Sequence, residues 1–271
     1  MSKTIFITGA SRGFGKIWAE AFLKRGDKVV ATARDINKLD HLVKEYGDSI
    51  LTIQLDVNNR AAGFAAIKKA KEHFGSLDVV INNAGYGLFG TIEETSEEQA
   101  REQLETNVFG LLWITQAAIP VMREQGFGHI IQVSSVLGVV TLPILGIYTA
   151  SKFAVEGLSE SLAAEVKDFG IKITLVEPNT FSTDWYNTSA IHTDRIEAYD
   201  QLKESFYGNM TEDSIGKPEA TVDAVLQLAD NENPPLRLFL GKMAYPWTKY
   251  IYEERLKSWE EWSEVSAAAH G

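Results

Sequence analysis

Short β-branched runs alternate with longer segments of helical period along most of the chain, and this alternation constrains the fold more than any other feature. Residues 4–8, 28–33, 50–55, 77–81, 129–134, 172–176 and 237–240 read as strands. Residues 14–25, 37–46, 60–74, 96–124, 148–169 and 219–229 read as helices, each long enough to cross over between parallel strands. Strict β-α alternation predicts an α/β fold: a doubly wound, mostly parallel sheet of about seven strands with helices on both faces. Strands such as Val79-Val80-Ile81 and Ile130-Ile131 are apolar on both faces, as a sheet covered on two sides requires. A chain of 271 residues that is 45% hydrophobic fits one domain over residues 1–271 with a single buried core.

The first strand runs into Thr8-Gly9-Ala10-Ser11-Arg12-Gly13-Phe14-Gly15, at the start of the first helix. Backbone N–H groups there face outward at a helix N-terminus, which suits a pyrophosphate, and the glycines let the backbone approach it closely. Gly9, Ser11, Arg12, Gly13, Phe14 and Gly15 are therefore candidate cofactor contacts in a Rossmann-type fold. The spacing is G-x-x-x-G-x-G rather than G-x-G-x-x-G, so the motif draws its weight from its strand-turn-helix setting. Gly9-Ala10-Ser11-Arg12-Gly13 also satisfies the G-x-S-x-G pattern of serine hydrolases. Only eight residues precede Gly9, which leaves no earlier strand or loop to supply oxyanion donors.

The end of the second strand decides which nicotinamide such a loop holds. Folds that bind NAD place an acid there for the ribose hydroxyls, and folds that bind NADP place an arginine for the 2′-phosphate. This chain has Arg34, with Arg12 nearby in the loop, and guanidinium groups suit bidentate phosphate recognition. NADP(H) is the expected cofactor, in preference to NAD(H), with Asp35 as the alternative ribose contact.

Tyr148 and Lys152 are four residues apart and share one helical face, so the ammonium can sit beside the phenol and lower its pKa into a useful range. Ser135, with Ser134 as its neighbour, ends the preceding strand at the carboxyl edge, where doubly wound sheets bind ligands. Its hydroxyl can hydrogen-bond a substrate oxygen as charge develops.

With these residues the chain resembles the short-chain dehydrogenase/reductases, in their single-domain branch. The resemblance rests on the glycine loop, Asp56-Val57, Asn82-Asn83-Ala84-Gly85, Asn107, Ser134-Ser135, Tyr148-x-x-x-Lys152 and Pro178 with Thr183, all in family order. It implies that Tyr148 donates a proton to a carbonyl oxygen, that Ser135 orients that oxygen, and that Lys152 also holds the nicotinamide ribose. It further implies that Asn107 anchors a water in the proton relay and that Asp56, beside Val57, contacts adenine. Asn83, Ala84 and Gly85 would line the cofactor's ribose, and Thr183, after Pro178, would meet the carboxamide. One departure from the family pattern is Asn179, where a glycine usually follows the proline.

The activity implied is an NADP(H)-dependent oxidoreductase that interconverts a ketone or aldehyde and its alcohol. Apolar and aromatic residues, chiefly Leu137, Leu145, Phe181, Trp185 and Tyr186, are expected to line a hydrophobic substrate pocket. Residues 178–216 form a long irregular stretch rich in aromatics and are expected to act as a lid, and 242–271 form a tail with no legible role. The same fold can also serve as an NADP(H) sensor without turnover, and the intact Ser135, Tyr148 and Lys152 argue against that.

The chain has no cysteine, which removes disulfides, thiolate metal sites and cysteine nucleophiles, and its histidines are scattered singly, so no metal is expected. A formal net charge of −11 argues against nucleic acid or anionic lipid as partner. The longest apolar stretch, 136–150, falls short of a bilayer span, and the short lead to Gly9 leaves no room for a secretory segment. The expectation is a cytoplasmic enzyme with a small-molecule substrate, and the resemblance implies a homodimer or homotetramer paired through the 96–124 and 148–169 helices.

Overall fold

The computed structural model describes residues 2–183, 190–208 and 215–271. Along the chain come β1 (Thr4–Ile7), α1 (Gly13–Arg25), β2 (Lys28–Ala33), α2 (Asp40–Tyr46), β3 (Ile50–Gln54), α3 (Arg60–Phe74) and β4 (Val79–Asn82). Then follow β5 (Leu88–Phe89), α4 (Glu97–Leu104), α5 (Leu111–Gln125), β6 (Gly128–Val133), α6 (Gly146–Val166) and β7 (Ile171–Pro178). The remainder comprises β8 (Ile191–His192), α7 (Asp200–Gly208), α8 (Val222–Asp230), β9 (Arg237–Leu240), α9 (Ala244–Glu261) and α10 (Ser263–Ala268).

Seven strands form one parallel sheet in the order β3-β2-β1-β4-β6-β7-β9. The order reverses at β1 and β4, which opens a crevice beyond their carboxyl ends. Alternate side chains feed two layers. Ile5, Ile7, Val29 and Ala31 pack with Trp18 and Phe22 of α1 and Val225 and Leu228 of α8. Phe6, Val30, Val80 and Ile130 pack on the opposite face with Ile67 of α3 and Ile114 and Met122 of α5. Sequence patterning therefore located all seven sheet strands and the helices between them, with ends displaced by up to three residues.

Three segments depart from the sequence reading. The expected helix at 96–124 starts with a capping box, Ser96 Oγ accepting from Gln99 N, but is interrupted by a π-helical turn at Glu105–Gly110. That turn carries Asn107, whose side chain hydrogen-bonds outside the helix. In the expected lid, β8 pairs in parallel with β5 and α7 follows. Glu94 anchors this layer: its buried carboxylate accepts from Ile196 N at 2.8 Å, Lys203 Nζ at 2.7 Å and Thr91 N at 3.0 Å. The tail is the helix pair α9 and α10, and Arg255 Nη1 of α9 donates to Val139 O at 2.8 Å. Among the described residues no helix is long and apolar enough to cross a membrane.

Candidate active site

A cavity of about 1110 Å³ opens at the carboxyl edge of the sheet, running from the glycine loop past Tyr148 to α9. The glycine loop forms one wall. Gly9 has φ +68°, and a Cβ on Gly15 would collide with Gly9 O and reach Asn83 Nδ2 at 2.5 Å, so neither position accepts a side chain. Asn83 Nδ2 donates to Thr8 O at 2.9 Å and Gly9 O at 3.1 Å, while Thr8 Oγ1 accepts from Asn83 N and Ala84 N, both at 2.9 Å. The ends of β1 and β4 are thus clamped together beneath the loop. Arg12, the N-cap of α1, makes no side-chain cap, and the first turn carries no acidic residue. The leading amides of α1 are left to the cavity, a cradle that fits an anion.

The adjoining end of the cavity is lined by Arg12, Arg34, Lys38, Asp35, Asp56 and Val57. Asp35 Oδ1 accepts from Asn37 N at 3.2 Å and Asp56 Oδ1 accepts from Asn58 N at 3.0 Å, so each carboxylate caps its own turn. Among the described residues Arg12, Arg34 and Lys38 form no salt bridge with any carboxylate. Gly85, Pro178 and Thr183 also line the cavity, whereas Gly15 packs behind the loop.

At mid-cavity Tyr148 and Ser135 line the same wall, with the Ser135 hydroxyl acting on the phenol. Ser135 Oγ also accepts from Leu137 N at 3.1 Å. Ser134, the alternative, also lines the cavity wall, but its Oγ is buried and makes no hydrogen bond to a described residue. Lys152 Nζ donates to Val133 O at 2.9 Å and sits 5.7 Å from the Tyr148 ring centroid. Burial pushes the Tyr148 phenol up to about 12, against the hydrogen bond from Ser135. Burial also pulls Lys152 down to about 8, with the Glu156 carboxylate acting the other way. The sequence reading expected the lysine to lower the phenol's pKa; the phenol is instead raised, because desolvation dominates.

Asn107 is buried and does not reach the cavity. Its Nδ2 donates to Tyr86 O at 3.0 Å and Ser151 Oγ at 3.1 Å, its Oδ1 accepts from Tyr86 N at 3.1 Å, and Ser151 Oγ donates to Tyr148 O at 2.6 Å. The side chain is committed to protein partners, tying the segment after β4 to the turn that carries Tyr148.

The far end is apolar. Leu137 and Leu145 reach it as expected, beside Leu142, while Trp185 and Tyr186 lie outside the described residues. Phe181 lines the opposite end, edge-on to Phe14 at 5.3 Å, where Phe14 stacks on Trp18 at 5.0 Å. Sequence reasoning missed Ile191 and Leu202 from the 190–208 layer and Met243 and Trp247 beside and on α9. The four-residue spacing of Met243 and Trp247 was a visible signal, but nothing in the sequence said what that face would meet. Asn179 does not adopt a left-handed backbone: its N–H donates to Leu240 O at 3.0 Å, and its side chain lies against Gly241, whose φ is +97°. Among the described residues no group of three or more His, Cys, Asp or Glu is arranged to hold a metal ion.

Known proteins agree with this architecture. Oxidoreductase BOA17 of Botryotinia fuckeliana is 38% identical over 99% of this chain and 100% of its own length. The crystal structure of a short-chain dehydrogenase from Streptomyces avermitilis superposes with a TM-score of 0.91 at 35% identity, covering 99% of this chain and 98% of that one. The structure of ElxO with NADP bound gives 0.76 at 30% identity, covering 91% and 100%. The profile of the short chain dehydrogenase family matches residues 3–193, and the chain belongs to that family of oxidoreductases.

Proposed function

We propose that the protein is an NADP(H)-dependent carbonyl reductase or alcohol dehydrogenase acting on a hydrophobic ketone or aldehyde. The observation that carries this reading is the placement of Ser135 and Tyr148, with Lys152 beside them, between the cationic and the apolar ends of one cavity. The amides at the start of α1 and the Gly9–Gly13 turn would hold the pyrophosphate, with Lys152 at the nicotinamide ribose and Thr183 at the carboxamide. Arg12, Arg34 and Lys38 favour a 2′-phosphate, and Asp35 and Asp56 are occupied as caps. The NADP bound by ElxO supports the same preference.

Bound nicotinamide supplies or accepts the hydride at the carbonyl carbon. Tyr148, raised to about 12, holds its proton at neutral pH and donates it to the carbonyl oxygen, while Ser135 hydrogen-bonds that oxygen. Lys152, as an ammonium below about pH 8, stabilises the phenolate that forms. The β6–α6 loop, the 190–208 layer and α9 exclude water and select apolar substrates.

The test is oxidation of NADPH, and separately NADH, by the purified protein against aliphatic and bulky aromatic ketones and aldehydes. Turnover that is faster at low NADPH than at low NADH supports both parts of the reading. Cofactor binding without turnover across a broad panel overturns the catalytic part and favours a sensor.

A further inference from the structure

Positions 148, 152, 156 and 160 recur every four residues along α6 and so share one face. Tyr148 and Lys152 serve the site described above, but the face continues. Glu156 is buried one turn beyond Lys152, and Glu177 of β7 is wholly buried. Arg237 of β9 closes the group: Nε donates to Glu156 Oε2 at 3.0 Å and lies 3.5 Å from Glu177 Oε1, while Nη2 donates to Glu160 Oε2 at 2.7 Å. The charged and titratable groups facing the two carboxyls are therefore Lys152 and Glu160 from α6 and Arg237 from β9, with the Ser134 hydroxyl near Glu156.

Neither carboxyl oxygen of Glu177 accepts a hydrogen bond from an N–H or O–H of any described residue. The Arg237 guanidinium holds Glu177 beside Glu156, whose Oε1 is likewise buried without a hydrogen-bond partner among the described residues. Two carboxylates cannot hydrogen-bond each other, since neither has a donor, and buried carboxylate oxygens that accept no hydrogen bond are costly even beside one cation. A single proton between them resolves both problems. Burial, reinforced by the Glu156 carboxylate, pushes Glu177 up to about 8, and burial also raises Glu156.

We propose that Glu156 and Glu177 hold one proton between them and act as a positioning pair for Lys152. Glu156 supplies an anion one helical turn from the ammonium, and protonated Glu177 supplies the hydrogen bond that fixes Glu156 in place. The part of this inference that concerns catalysis rests on the role given to Lys152 above; the shared proton does not.

The first test compares thermal melts of the full-length protein and Glu177→Gln from pH 5 to pH 8. A carboxyl whose folded pKa is raised keeps its proton in the native state while the unfolded chain releases it. The wild type then loses stability as pH rises from the ordinary carboxylate range towards about 8. Glutamine mimics the protonated acid and does not titrate. The Tm advantage of Glu177→Gln over wild type is expected to grow by about 3 °C or more between pH 5 and pH 8. A difference that is flat or shrinks overturns the shared proton.

The second test follows Lys152 by carbon NMR of protein labelled at lysine Cε, assigned with Lys152→Arg. In Glu156→Gln its titration midpoint should fall by about one pH unit, in Glu156→Asp much less, and in Glu177→Gln little. An unchanged midpoint in Glu156→Gln overturns the positioning role. If the midpoint moves but the alkaline limb of kcat/KM does not follow it, the pair stands and the assignment of Lys152 to catalysis fails.

Discussion

Tyr148 and Lys152 are each pulled by burial toward the neutral form, the phenol to about 12 and the ammonium to about 8. Tyr148→Phe deletes the proton donor and little else, so turnover should fall by at least about a hundredfold with NADPH affinity nearly unchanged in a fluorescence titration. Because Lys152 is charged only below about pH 8, kcat/KM for carbonyl reduction should decline above that pH. Arg34→Ala should weaken NADPH by roughly ten- to a hundredfold and NADH far less, since only NADPH carries the phosphate that the guanidinium would meet. Equal losses would remove the 2′-phosphate role. At this scale the sequence showed which side chains share a face, as with Tyr148 and Lys152. It did not show how their environments balance, because desolvation depends on β6, β7 and the Ser135 loop closing around them. The buried partners of Asn107 were hidden for the same reason: Tyr86 and Ser151 are distant in sequence and meet only across the fold.

Helices and loops hold these groups in place through a few buried polar hubs. Asn107→Ala removes three hydrogen bonds that join Tyr86 to α6 and strands buried polar groups. The expected cost is about 2–4 kcal/mol in urea unfolding. Glu94 plays the corresponding part for the 190–208 layer. Burial alone would raise its pKa, but Lys203 and the amides of Ile196 and Thr91 outweigh burial and hold it near 2. Its folded pKa lies below the ordinary carboxylate value, so the stability it contributes is present above that value and is lost as pH falls towards about 2. Glu94→Gln should speed hydrogen exchange across 190–208 and raise KM severalfold with a smaller change in kcat. A two-residue pairing such as β5 with β8 gives no periodicity to read, and the π-helical turn in the 96–124 segment depends on contacts that a helical pattern does not encode.

Across the molecule, the seven-stranded sheet was legible because strands buried on both faces must be apolar throughout and helices buried on one side must be periodic. The substrate end was far less so, since it is assembled from the β6–α6 loop, the 190–208 layer and α9, which come together only in the finished fold. Trp247→Ala should enlarge that end and raise kcat/KM for bulky aromatic ketones relative to small aliphatic ones in the same substrate panel. The cavity is one undivided volume of about 1110 Å³, above the roughly 300–1000 Å³ of an ordinary small-ligand pocket. It therefore has room for two ligands but no internal partition between them. A ketone arriving first would find a compartment open on the side towards the glycine loop, with much of its surface still wet. A dinucleotide arriving first would meet a complete cradle and would itself become the missing wall. The architecture thus imposes a sequence on binding: initial-rate and product-inhibition patterns should show a compulsory order, with cofactor first on and last off.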